Sequence, residues 1–167
     1  MLKKYMLFCI AFYMFLLPGC IPIKEKLSEK IIDQIDKKCD QNGDCTIDLS
    51  TVIHFEWDTA VFFETSCSSE TISEALGIQY EESYDFTFGM IFAYEGKVVY
   101  KELFLFEEDS PNRFWIRLFD AKMYPDKCVR ITKGETIVNA YRFQYSEDEK
   151  YYYTMTIGFK DDHSLLQ

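Results

Sequence analysis

Tyr84-Asp85-Phe86-Thr87-Phe88-Gly89-Met90-Ile91-Phe92-Ala93-Tyr94-Glu95-Gly96-Lys97-Val98-Val99-Tyr100-Lys101-Glu102-Leu103-Phe104-Leu105-Phe106 decides the fold class. Tyr84, Phe86, Phe88, Met90, Phe92 and Tyr94 alternate with Asp85, Thr87, Gly89, Ile91 and Ala93. That is the two-residue period of a strand, whose successive side chains point to opposite faces. Glu95-Gly96 supplies a two-residue turn, and Val98–Phe106 returns as the antiparallel partner.

Outward from this hairpin the same texture recurs. Trp57–Glu64 reads as a strand around Ala60-Val61-Phe62-Phe63, and further strands fall at 113–119, 128–132, 137–145 and 151–159. Lys133-Gly134-Glu135 and residues 146–150 are the turns between them. Two helices precede or interrupt the strands. Leu27, Ile31 and Ile35 form a narrow apolar stripe in the charged segment 21–38, and Ser69 opens a short helix that stops at Gly77. The order predicts an α+β domain, a meandering antiparallel sheet of about six or seven strands with an N-terminal helix and one short helix. A chain of 167 residues, 48% hydrophobic and 17% aromatic, suits one such domain and excludes a disordered segment, a collagen repeat or a coiled coil.

The first residues belong to a different category. Lys3 and Lys4 precede an apolar run from Tyr5 to Leu17, the pattern of a secretory signal peptide. Leu17-Pro18-Gly19-Cys20 resembles the lipobox of bacterial lipoproteins. The resemblance implies cleavage behind Gly19 and a diacylated Cys20 as the new N-terminus, anchored to the membrane by fatty acyl chains at about 0.8 kcal/mol per buried methylene. An uncleaved signal anchor over residues 5–23 is the alternative, and either leaves the rest of the chain outside the cytoplasm. Ile21, in place of the Asp that retains many such proteins in the inner membrane, implies the outer membrane, facing the periplasm, in a Gram-negative host. The expected organisation is therefore a signal peptide over 1–19, lipid attachment and a helical lead-in over 20–38, and a single α+β domain over 39–167. Phe55-Glu56-Trp57-Asp58, ahead of an apolar strand and a helix ending at Leu76-Gly77, resembles a segment of small uncharacterised envelope lipoproteins that carry an F-x-W-D motif. That likeness implies location and no activity.

Outside the leader and Cys20, four cysteines remain: Cys39, Cys45, Cys67 and Cys128. An even number in an oxidising compartment reads as a disulfide set with three pairings open. Cys39 and Cys45 enclose a five-residue loop with Asn42-Gly43, which would leave Cys67 for Cys128. Asp40-Gln41-Asn42-Gly43-Asp44-Cys45-Thr46-Ile47-Asp48 resembles an EF-hand loop at its first, third and fifth ligand positions. Cys45 in the place of the turn glycine, Thr51 in the place of the closing Glu, and a following strand all argue against calcium, so no metal or other cofactor is expected. Zinc lacks a C-x-x-C pair and has only His54 and His163 to draw on. No nucleophile elbow, zincin helix or phosphate loop is present, and Cys67, the one nucleophile conceivable beside His54, is expected oxidised. The chain reads as a non-enzyme.

Charge carries the sharper signal. The net formal charge is −10, unsuited to nucleic acid. Between Lys38 and Lys97 there are twelve acids and no Lys or Arg, so this stretch accounts for the entire excess. A solvated surface is the plain reading. The sharper one is an acidic face with Glu56, Asp58, Glu81, Glu82 and Asp85 that steers a basic protein partner, with Trp57, Tyr80 and Tyr84 as aromatic anchors. The expected function is an envelope-anchored binding protein, an inhibitor or immunity protein for a cationic effector; the alternative is an accessory of an envelope complex.

Overall fold

The computed structural model describes residues 26–82, 87–105, 112–119, 126–144 and 150–158. The leader, Cys20 and Asp85 lie outside these residues. In chain order the elements are α1 (Leu27–Lys38), β1 (Gly43–Asp48), a 3-10 turn (Leu49–Thr51), β2 (Thr59–Phe63), α2 (Ser69–Leu76), β3 (Thr87–Tyr94), β4 (Lys97–Leu105), β5 (Phe114–Leu118), β6 (Cys128–Thr132), β7 (Ile137–Gln144) and β8 (Tyr151–Ile157). The class is α+β, with both expected helices in place. Among the described residues no helix is long and apolar enough to cross a membrane.

Among the described residues there are eight strands, divided between two four-stranded sheets, β1-β7-β8-β5 and β4-β3-β2-β6. All pairs are antiparallel except β5 with β8. A single meander is therefore not what forms. β1 is the added strand: the polar run 43–48 pairs with β7, placing Ile47 against Val138 and Cys45 against Ala140. Its inward side chains are apolar while Asp44 and Thr46 face water, which gives a strand with one wet face.

One cluster of buried side chains joins the two sheets and α1. Leu27, Ile31 and Ile35 meet Ile47 and Ala140 of the first sheet and Phe62, Met90 and Phe92 of the second. Phe92 stands at its centre, with the rings of Phe55, Trp57 and Phe62 edge-on at 5.3, 5.4 and 5.8 Å. Such pairs each contribute about 0.5–1.5 kcal/mol beyond their burial. The outer face of the second sheet is covered by α2, whose Ile72 and Leu76 pack with Val61, Phe63, Ile91 and Ala93. With both faces covered, every residue of β2 is buried, and the uninterrupted apolar run Ala60–Phe63 follows from that.

The caps refine the helix boundaries. Ser68, one residue earlier than the sequence suggests, caps α2: its Oγ accepts from Thr71 N at 3.1 Å. Gly77 ends the helix in the left-handed region at φ 70°. Both disulfides form, Cys39–Cys45 across 5.1 Å and Cys67–Cys128 across 6.0 Å between Cα atoms. The first ties the end of α1 to β1, the second ties the start of α2 to β6.

Candidate functional site

The site is built where α2 hands the chain to an extended segment. Gly77 turns the backbone, and Ser73 Oγ then both donates to Tyr80 O (3.0 Å) and accepts from Tyr80 N (2.9 Å). Tyr80 is thereby fixed with its ring in the outer core, 8% exposed, and its hydroxyl donates to Glu82 Oε2 at 3.2 Å. Across a gap lies β4, an edge strand of its sheet. Its pairing with β3 slips between Phe92–Tyr100 and Ala93–Val98, leaving Val99 as an extra residue in a bulge. The bulge lets four consecutive residues, Val98–Lys101, line one wall of a cleft of about 780 Å³ whose other wall is Gln79–Glu82.

Lys101 closes this cleft. Its ammonium donates to both oxygens of Glu82, one of them at 2.6 Å. Lys101, and secondarily the Tyr80 hydroxyl, hold the Glu82 carboxyl below the usual range, while burial and the adjacent Glu82 push the Tyr80 phenol up. Glu81 accepts from Gln79 Nε2 at 2.6 Å. The walls therefore combine apolar surface from Tyr80, Val98 and Val99 with two carboxylates and one ammonium.

Glu56 and Asp58 belong to a neighbouring place. Asp58 Oδ2 accepts from Glu95 N at 2.9 Å and braces the β3–β4 turn, where Glu95 (φ 48°) and Gly96 (φ 74°) both take left-handed backbone. Ala93 pairs with Thr59 on one side and with Val98 on the other, so Asp58 stands two strands, about 10 Å, from the cleft. Glu56 is paired with Lys133 at 2.9 Å, and that carboxylate raises the lysine. Trp57 is 4% exposed and packs on Phe92; it is a core residue, not an anchor for a partner.

The acid-rich stretch is thus not bare. Glu82, Glu56 and Glu64 each meet a lysine from beyond residue 96, namely Lys101, Lys133 and Lys127. The EF-hand-like residues are used elsewhere: Asn42 Oδ1 accepts from Gln144 N at 3.0 Å, and Asp48 caps the 3-10 turn through Ser50 N at 2.9 Å. Among the described residues no group of three or more His, Cys, Asp or Glu is placed to hold a metal. Cys67 is bound in its disulfide, and His54 is exposed beside buried Ile53.

On the inner side of the cleft strand sit two residues that sequence reasoning passed over. Tyr100 Oη accepts from Leu27 N at 2.8 Å and donates to Glu102 Oε2 at 2.7 Å. Glu102, 7% exposed, also accepts from Ser28 N at 3.0 Å and from Ser28 Oγ. Lys26, at the N-cap position of α1, makes no side-chain cap, so β4 supplies the cap in its place. A signal was available: Glu102 shares the alternation of Tyr100 and Phe104, the inward row of the strand. Comparison with known protein families, with curated proteins and with solved structures returns no match.

Proposed function

We propose that the chain is an envelope lipoprotein, anchored through Cys20, that binds a cationic protein as an inhibitor or immunity protein. The observation that carries this reading is the cleft between residues 79–82 and β4, which sets Glu81 and Glu82 beside exposed apolar surface. A basic side chain entering there meets carboxylates at once, and the apolar wall receives its aliphatic stem. The Glu82–Lys101 pair gives the incoming cation a specific exchange to make: it displaces an exposed lysine, whose own pairing is of low value.

A second reading, an accessory of an envelope complex, draws on the internal neutralisation of Glu56, Glu64 and Glu82, which lowers the field available for steering. Salt separates the two. Immobilised mature chain, and the Glu81→Lys/Glu82→Lys double variant, are offered the host's envelope extract and medium at low and moderate salt. The inhibitor reading expects a basic protein held by wild type at low salt, released as salt rises and missed by the variant. Equal, salt-insensitive retention by both baits overturns it in favour of the assembly role.

A further inference from the structure

We infer that the cleft takes its ligand as an added strand: an extended segment of the cationic partner pairs, backbone to backbone, with the free edge of β4. This rests on the reading of the cleft as the place where a cationic protein binds, and adds the form in which that protein enters. β4 ends its sheet, and among the described residues no strand pairs with its other side.

The register of the hairpin fixes which backbone groups point outward. Tyr94 and Lys97 flank a two-residue turn and so exchange hydrogen bonds with each other; beyond them, bonded and non-bonded pairs alternate along the antiparallel ladder. Ala93–Val98 is therefore a non-bonded pair, and past the bulge so are Ile91–Lys101, Gly89–Leu103 and Thr87–Leu105. In such a pair the N–H and C=O of each residue turn away from the other strand. Two hydrogen bonds fit this pattern. Ala93 O turns away from β4 and accepts from Asp58 N at 2.9 Å, and Leu105 O accepts from Asn112 Nδ2 at 2.7 Å. Val98, Lys101 and Leu103 thus hold their N–H and C=O groups toward the free edge.

The cleft runs along that edge. Val99 and Tyr100 pack on the inner core, whereas Lys101, opposite Ile91 of the outer cluster, reaches Glu82 on the outer side. A cleft that touches all four residues Val98–Lys101, inward and outward alike, faces the backbone between the two faces of the strand. An extended peptide laid there sends alternate side chains to opposite sides. One row passes Glu81 and Glu82 and calls for Lys or Arg; the other passes Val99 and calls for an apolar residue. Strand addition of this kind takes affinity from main-chain hydrogen bonds and specificity from the alternate side chains. A second copy of the chain is a poor occupant, because antiparallel self-pairing centred on Val99 sets Lys97 opposite Lys101 and like charges there repel.

The test uses the mature, disulfide-intact chain in neutral detergent and a short alternating Lys/Val peptide as the probe. Two further peptides carry N-methyl groups on one or the other alternate set of amides. The expected result is an affinity loss of about tenfold from one set and little from the other, since only one set faces β4. The Lys101 amide is expected to exchange its hydrogen more slowly once the unmethylated peptide is bound. Equal effects of the two sets, or a Lys101 amide left unprotected, while Glu81→Lys/Glu82→Lys still weakens binding, overturn strand addition and leave the binding reading standing. Failure of the unmethylated peptide to bind the wild-type chain at low salt overturns both.

Discussion

Glu102 replaces water at the start of α1. Its carboxylate receives Ser28 N, Ser28 Oγ and the Tyr100 hydroxyl, and Tyr100 in turn receives Leu27 N. Truncation to alanine strips two buried donors and one half-buried donor of their acceptor at once, so Glu102→Ala is expected to lower the unfolding free energy by about 2–4 kcal/mol. Glu102→Gln keeps one acceptor oxygen and loses the charge at the helix start, for roughly 1–2 kcal/mol. Urea midpoints measure both; an alanine variant no weaker than the glutamine one shows that the carboxylate is not the cap. The strand opposite sets a second constraint. A Cβ on Gly89 lies 2.6 Å from Glu102 O and 3.1 Å from Phe63 Cζ, so Gly89→Ala must push β4 away from β3. An overpacking cost of about 1–3 kcal/mol is expected. A variant that keeps the wild-type midpoint contradicts that close approach.

At the scale of elements, the two disulfides do different work. Cys67–Cys128 closes a sequence separation of 61 and Cys39–Cys45 one of 6. The loop-entropy model assigns about 4 kcal/mol to the longer loop and about 2.4 kcal/mol to the shorter. Paired serine variants, compared by denaturant unfolding, are expected in that order, and the reverse order implies that α1–β1 docking depends on its bridge for more than chain entropy. These elements also show what a sequence can disclose. β3 and β4 are legible because alternation is local, and α2 because a capping serine and Gly77 frame it. β1 is not, because only Cys45 and Ile47 turn inward and the stretch looks like a polar loop until β7, some ninety residues later, comes to pair with it. The split into two sheets, the parallel β5–β8 pair and the cleft all arise from such distant registers. Glu81 and Glu82 are readable as acids, but the Lys101 that pairs with Glu82 and the bulge at Val99 are not.

The whole molecule redistributes a charge pattern that looks lopsided along the chain, since lysines after residue 96 return to acids before it. Its response to pH follows from groups whose ionisation the fold biases. Glu82 and Asp48 are held below their ordinary values by hydrogen bonds, from Lys101 and Ser50 respectively. Their stabilisation is fully present above the unfolded values near pH 4 and fades as pH falls through the lower, folded ones. Tyr80, Tyr100 and Tyr153 are pushed up, chiefly by burial, with Glu82, Glu102 and Asp36 adding to it. A raised phenol contributes stability that is complete below the unfolded value near pH 10 and is lost as pH rises toward the folded one. The urea midpoint is therefore expected to hold a plateau from about pH 5 to about pH 9.5 and to fall on both sides. On the alkaline side, tyrosinate absorbance provides the decisive reading. Three tyrosines are expected to resist ionisation until the chain unfolds, so part of the absorbance rise should coincide with loss of the fold. If every tyrosine titrates near pH 10 while the midpoint stays level, the buried phenols are not coupled to stability, and the Tyr100–Glu102 cap does not hold α1 in the way the hydrogen bonds describe.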